Sequence, residues 1–72
     1  MPPGRSSAWR ELARAQAGVV ARRQLFRLGY RDHYVDAQIE AERWQLVSDV
    51  VVCTTTGVLT REQLMWAGHL HA

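Results

Sequence analysis

The chain of 72 residues has one cysteine, no lysine and no long apolar run. A single cysteine cannot form an internal disulfide, and Cys53 stands among valines and threonines, as in the interior of a strand. We therefore expect a buried, structural thiol in a reducing compartment. No apolar stretch approaches the ~20 residues that cross a bilayer, and the start of the chain lacks the apolar core of a signal peptide. These absences predict a cytoplasmic protein without membrane contact.

Residue patterns that carry catalysis are also missing. The sequence contains no glycine-rich phosphate loop and no serine elbow. Its recurring acids lack the apolar surroundings that tune a general acid. His69 and His71 are two residues apart, which on a helix points the two rings in different directions, and no cysteine or carboxylate joins them at ligand spacing. We predict a protein that is not an enzyme and that binds no metal, cofactor or small-molecule substrate.

The positive charge consists entirely of nine arginines and is unevenly distributed. The first 31 residues hold seven arginines against the single acid Glu11, which gives this segment a formal charge of +6. The remaining residues hold six acids against Arg43 and Arg61, a formal charge of −4. Because arginine makes bidentate contacts with phosphate and carboxylate equally well, basicity alone does not identify the partner.

Composition and capping residues predict how the chain begins. Residues 1–6 are proline, glycine, arginine and serine after the initial methionine, and we expect a disordered tail because they bury little apolar surface. A first helix is predicted from Ser7, its N-cap, to about Gln16, and Gly18 is expected to end it. The folded domain is therefore predicted to span residues 7–72.

Two short helices joined by a glycine turn are predicted next. After an extended link at 19–20, one helix covers residues 22–28, and a second begins at Asp32 as N-cap and continues to about residue 43. Two such helices, the second amphipathic, form a helix-turn-helix. We expect the two helices to pack against each other around a single hydrophobic nucleus. This nucleus consists of Leu25, Leu28, Val35, Ile39 and Trp44.

A hairpin and a fourth helix are predicted from the last third of the chain. Residues 44–47 and 50–54 favour β-structure, and Trp44 and Leu46 are expected to share one face. Thr60 and Gln63 form a capping box at the start of the last helix, with a hydrophobic staple predicted between Leu59 and Leu64. The three tryptophans are predicted to lie in the core or at a partner interface: Trp9, Trp44 and Trp66. The predicted fold class is mainly α with a small β-hairpin, a winged helix-turn-helix.

Residues 12–29, LARAQAGVVARRQLFRLG, are similar to the N-terminal winged-helix domain of AbiEi-type antitoxins from actinobacteria. The segments RWQLV at 43–47 and LTREQ at 59–63 fall where that family has its hairpin and its following helix. The resemblance covers about residues 8–70. It implies a domain that binds promoter DNA, in antitoxins of type IV toxin-antitoxin systems that repress their own operon.

The third predicted helix departs from that family, whose members commonly carry several arginines there. This helix instead holds four acids, Asp32, Asp36, Glu40 and Glu42, and the hairpin turn is Ser48-Asp49. Phosphates lining a groove repel such acids, although an acid reads a base by accepting a hydrogen bond from cytosine N4. Salt bridges from the arginines to these acids would neutralise the basic surface within the molecule.

Two functional hypotheses follow from these patterns. The first is a small bacterial protein that binds double-stranded DNA in transcriptional regulation, as a dimer or as one part of a larger complex. Its predicted DNA-contacting residues are Arg22, Arg23, Arg27, Arg31, His33, Tyr34 and Asp36, with the first three on the phosphate backbone. The second is a winged helix that binds a protein partner, a toxin or a component of the transcription machinery, through its acidic third helix.

Overall fold

A computed structural model describes residues 4–71, with side chains for residues 8–71. This part of the chain forms four helices and a three-stranded antiparallel sheet. The elements in chain order are α1 (Gly4–Ala15), β1 (Val19–Ala21), α2 (Arg22–Arg27), α3 (Asp32–Glu40), β2 (Gln45–Leu46), β3 (Val51–Cys53) and α4 (Arg61–His71). None of these helices has the length and apolar character needed to cross a lipid bilayer.

Helix α1 begins earlier than predicted. It starts at Gly4 rather than at Ser7, so residues 4–6 of the predicted tail are helical, and residues 1–3 lie outside the described residues. At its other end the Gly18 N–H donates to the Ala13 carbonyl over 2.7 Å, a bond that closes a Schellman-type turn. Gly18 takes part in the helix end as predicted, and Ala17 also adopts a left-handed φ of 60°.

The sheet has one more strand than the predicted hairpin. The extended link predicted at 19–20 is part of β1. This strand pairs antiparallel with β3 in the register Val19↔Cys53 and Ala21↔Val51. Strand β2 pairs with the other edge of β3, so β3 is the central strand. A three-residue strand is too short to show a period in sequence, which is why β1 was not predicted.

The two faces of the sheet carry two separate cores, because successive strand residues point to opposite sides. On one face, Val20 and Val52 belong to a cluster with residues of the first three helices and of the segments that follow α2 and α3: Ala13, Leu25, Tyr30, Val35 and Trp44. On the other face, the remaining residues of β1 and β3 pack with Ala67 and Leu70 of α4. Cys53 is in this second cluster and is fully buried, which confirms the prediction of a buried thiol.

The predicted nucleus is correct except for one residue. Leu25, Val35 and Trp44 are buried in the first cluster, and Ile39 packs against them. The prediction is wrong for Leu28, because α2 ends at Arg27. Leu28 is the C-cap of this helix, and 37% of its surface is exposed. Tyr30 takes the expected inner position instead. Its backbone N–H donates to the carbonyl of Leu25 over 2.9 Å, and 5% of the residue is exposed.

The positions of Trp44 and Leu46 in the hairpin also differ from the prediction. Trp44 precedes β2 and its N–H donates to the Gln38 carbonyl, so it does not take part in the alternation of the strand. Trp44 is buried, whereas Leu46 is 51% exposed, and the two residues do not share a buried face. The core position predicted for tryptophan is confirmed at Trp44, against which the Trp9 ring packs edge-on at 4.9 Å.

The start of α4 follows the predicted capping box. The Thr60 N–H donates to Gln63 Oε1 over 2.9 Å, and the Gln63 N–H donates to Thr60 Oγ1 over 3.0 Å. This reciprocal pair satisfies two amides that the first turn of a helix leaves without partners. Of the two residues of the predicted staple, Leu59 packs against the second cluster, whereas Leu64 is 55% exposed.

Helix α3 is shorter than predicted. Its N-cap is Arg31 rather than Asp32, which is instead the first helical residue, and it ends at Glu40 rather than near Arg43. The Arg43 N–H donates to the Gln38 carbonyl, and Glu42 adopts a φ of 62° in the turn that this bond closes. The chain reverses here because a left-handed residue cannot continue the helix.

Replacing Glu42 by glycine is expected to raise the free energy of unfolding by about 1 kcal/mol. The left-handed conformation costs an L-residue roughly 1–2 kcal/mol, and glycine adopts it without that penalty. Thermal unfolding followed by circular dichroism measures the effect, with an expected rise in Tm of about 4–8 °C. The control is Ala41→Gly at an exposed neighbour with a φ of −78°, which is expected to lower Tm. A fall in Tm for both variants would contradict the strain at Glu42.

Candidate nucleic-acid interface

The pair α2–α3 presents the residues predicted to contact DNA. Leu25 and Val35 join the two helices through the first cluster, and the turn between them passes through Gly29, which adopts a φ of 99°. Because Val35 points inward, the residues on the opposite side of α3 face solvent. His33 and Asp36 are both exposed there.

Arg22 connects three elements through its side chain. Its Nη1 lies 3.2 Å from Asp32 Oδ1 and its Nη2 lies 3.2 Å from Asp36 Oδ1, both on α3. Its Nε donates to the Asp49 carbonyl in the hairpin turn over 3.0 Å. The Arg22 side chain is 23% exposed, whereas the two carboxylates are 82% and 64% exposed. For Arg22, the salt bridges to the acids of α3 that would neutralise the basic surface are therefore present.

The other three arginines of the predicted interface have different surroundings. Arg23 Nη1 donates to the Leu70 carbonyl over 2.9 Å, where the last turn of α4 leaves carbonyls without helical partners. The guanidinium of Arg31 lies 5.3 Å from the centre of the Phe26 ring, a cation–π contact. Arg27 is exposed and has no ion pair or hydrogen bond from its side chain to another described residue. Arg27 and Arg31 therefore keep their charges directed to solvent.

Tyr34 occupies a different position from its neighbour His33. Its ring centre is 4.9 Å from that of Tyr30 and 6.1 Å from that of Trp44, and it packs against the first cluster. Tyr34 is half-buried, whereas His33 is exposed. The structure thus brings Arg22 and Asp36 together, leaves His33 on the surface and uses much of Tyr34 for packing.

No known protein family, curated protein or solved structure matches the chain.

Three apolar side chains near this interface are exposed. Leu46 and Val50 flank the hairpin turn and are 51% and 39% exposed. Both residues belong to segments predicted to favour β-structure, and the sequence gives no signal that their side chains are exposed. The Phe26 ring, placed at the edge of α2 by its helical position, is 61% exposed beneath Arg31. These side chains give the surface an apolar component beside its charges.

The two histidines near the end of α4 have different surroundings. His69 and Trp66 line a shallow cavity of about 280 Å³ together with Met65. The His71 Nδ1 lies 3.1 Å from the Ser48 hydroxyl, so the two histidines make separate contacts. Within residues 8–71, no three histidine, cysteine or acidic side chains lie close enough together to hold a metal ion.

Proposed function

We propose that this chain is a winged helix-turn-helix domain that binds double-stranded DNA in bacterial transcriptional regulation, as AbiEi-type antitoxins do. The observation that carries the proposal is the connection of the sheet. Strand β1 lies between α1 and α2 in sequence and pairs with β3, so the β2–β3 hairpin is tied to the helix pair. This order of helix, strand, two helices and hairpin is that of winged-helix domains. It supports α3 as the recognition helix.

The charges indicate how the domain would hold a duplex. Phosphate contacts are assigned to Arg27 and Arg31, whose guanidinium groups face solvent. Arg22 and Arg23 are less suited to this role because their donors are already directed at acceptors within the chain. His33 and Asp36 lie on the exposed side of α3, where the residues of a recognition helix contact base edges.

Replacing Arg27 and Arg31 together by alanine is expected to weaken binding to random-sequence duplex DNA. Each lost phosphate contact lowers the slope of log K against log salt by about 0.9, so the double variant should lose about 2 from that slope. Fluorescence anisotropy with a labelled duplex at several salt concentrations measures it. The control is Arg61→Ala, an exposed arginine at the start of α4, which should leave the slope unchanged. An unaltered slope in the double variant would show that neither Arg27 nor Arg31 contacts a phosphate.

A second candidate is a protein interface on the same helix. Arg22 contacts two aspartates and offsets only one of their charges, while Glu40 and Glu42 are exposed without an ion pair to any described residue. The outer side of α3 and its end are therefore acidic. This surface is complementary to a basic surface on a protein partner, which the acids would recognise by charge and hydrogen bonding.

Reversing Glu40 to arginine separates the two candidates. A domain that binds DNA through α3 should keep or gain affinity for duplex, because an acid near the phosphates is replaced by a base. A protein interface would lose its contact with the basic partner. Glu62→Arg, at an exposed acid in the first turn of α4, is the matched control. If wild-type chain fails to bind duplex at low salt, DNA binding is excluded and the second candidate remains.

A further inference from the structure

We infer that Asp36 selects a cytosine in the bound DNA and that Arg22 is the residue that positions it. This inference rests on the proposed DNA-binding function and names the base that α3 would recognise. It also gives Arg22 a role other than the phosphate contact predicted from sequence. The observation behind it is that the carboxylate of Asp36 is held through one oxygen only, by Arg22 Nη2 at 3.2 Å.

The remaining oxygen of Asp36 is the acceptor that the base would use. Asp36 Oδ2 has no hydrogen-bond partner among residues 8–71, and the side chain is 64% exposed. The arginine that fixes the carboxylate is itself held at both ends. Its backbone N–H donates to the Val50 carbonyl over 2.8 Å, and its Nε donates to the Asp49 carbonyl over 3.0 Å. The Asp36 carboxylate thus has a hydrogen-bond partner that orients it before DNA binds, which lowers the cost of ordering it on binding.

Two other acids of α3 fit the role less well. Asp32 is paired with the same arginine at 3.2 Å, but its side chain is 82% exposed against 64% for Asp36, and as the first helical residue its charge interacts favourably with the positive end of the helix dipole. Glu40 is the last helical residue and has no ion pair with any described residue, so its longer side chain is not fixed. Asp36 lies one turn into α3, and residues near the N-terminus of a recognition helix are those that contact base edges.

The pairing with Arg22 also reduces the electrostatic cost of placing an acid in a groove. The guanidinium lies within 3.2 Å of the carboxylate and offsets part of its charge, so the repulsion from phosphates is smaller than for an isolated acid. Of the four bases, cytosine presents an N4 donor in the major groove, while guanine and thymine present acceptors there. Adenine presents its N6 donor beside the N7 acceptor, and this acceptor would face a carboxylate that has no donor to offer it. A carboxylate without a donor therefore favours cytosine.

The test is selection of binding sites from a pool of randomised duplexes by the full chain. Wild-type protein is expected to enrich cytosine at one position of the site. Asp36→Asn should change the preferred base at that position to adenine, because asparagine pairs with adenine N6 and N7. The ratio of cytosine to adenine binding is expected to change by about tenfold or more, since one good contact discriminates by that order.

Two further variants separate positioning from contact. Arg22→Ala should reduce the preference for cytosine without creating a preference for adenine, whereas a phosphate contact would lower affinity for all sequences alike. Glu62→Gln, on α4, should leave the selected site unchanged. Because Arg22 touches three elements, circular dichroism must show that its variant is folded, and Asp36→Asn decides the assignment if it is not.

The possible failures are distinguishable. If wild-type chain binds duplexes without preferring cytosine at any position, or if Asp36→Asn leaves the selected base unchanged, the inference is overturned while DNA binding stands. If wild-type chain binds no duplex at low salt, the inference and the proposed function both fail.

Discussion

Replacing Leu25 by alanine is expected to lower the free energy of unfolding by about 2–5 kcal/mol, the range for truncating a fully buried leucine. Leu25 has no exposed surface and lies in the first cluster with Val35 and Trp44, where α2, α3 and the sheet meet. A domain of this size is stable by only about 4–11 kcal/mol, so the loss removes a large part of its stability. Thermal or urea unfolding followed by tryptophan fluorescence measures it.

The chain contains a matched control three residues away. Leu28 is the same residue type at the end of the same helix, but it is 37% exposed and outside both clusters. Leu28→Ala is expected to cost less than about 1 kcal/mol, because the site is open to solvent and little cavity is left behind. Similar losses at the two positions would show that Leu28 belongs to the nucleus.

Replacing Gln63 by alanine is expected to lower the free energy of unfolding by about 1–3 kcal/mol, the second large loss of stability. This residue is 8% exposed, and its Nε2 donates to the Ala17 carbonyl over 3.0 Å and to Thr55 Oγ1 over 3.2 Å. Its Oε1 accepts from the Thr60 N–H over 2.9 Å. Alanine would leave the carbonyl of the half-buried Ala17 without this partner, and an unsatisfied buried polar group costs about 1–3 kcal/mol, whereas water replaces the lost partner at the exposed Thr55 and Thr60. Urea unfolding with a fixed m-value measures the change.

A glutamine with weaker contacts provides the comparison. Gln38 on α3 is partly buried, and its Oε1 accepts one exposed bond of 3.4 Å from Arg43. Gln38→Ala is expected to cost less than about 1 kcal/mol, since water replaces the partner of an exposed group. If Gln63→Ala costs no more than Gln38→Ala, the contacts of Gln63 do not hold α4 against the rest of the fold.

The parts of the fold predicted correctly are those that local chemistry decides. The capping box at Thr60 and Gln63 lies within four residues, and both bonds are present in the structure. Strand β1 was missed because its partner lies in β3, more than 30 residues away, and its register follows from the packing of the whole sheet. Leu28 was misplaced because the helical period was extended past Arg27, where α2 ends.

The candidate site shows the same division between local and non-local information. The opposite charges of α2 and α3 are visible in the sequence and allow either phosphate contacts or salt bridges between the two helices. Which arginine pairs with which acid depends on the angle between the helices, and only the structure shows that Arg22 contacts Asp32 and Asp36. The bond from Arg23 to the end of α4 spans 47 residues and had no sequence signal.

The central position of β3 has a consequence for how this protein loses its structure. Val52 contributes to one core, while its neighbours Val51 and Cys53 contribute to the other, so three consecutive residues are shared between both sides of the sheet. Loss of packing in either core would release β3, and the other core depends on the same strand. We therefore expect the two cores to unfold as a single cooperative unit, with neither persisting as a subdomain after the other has melted.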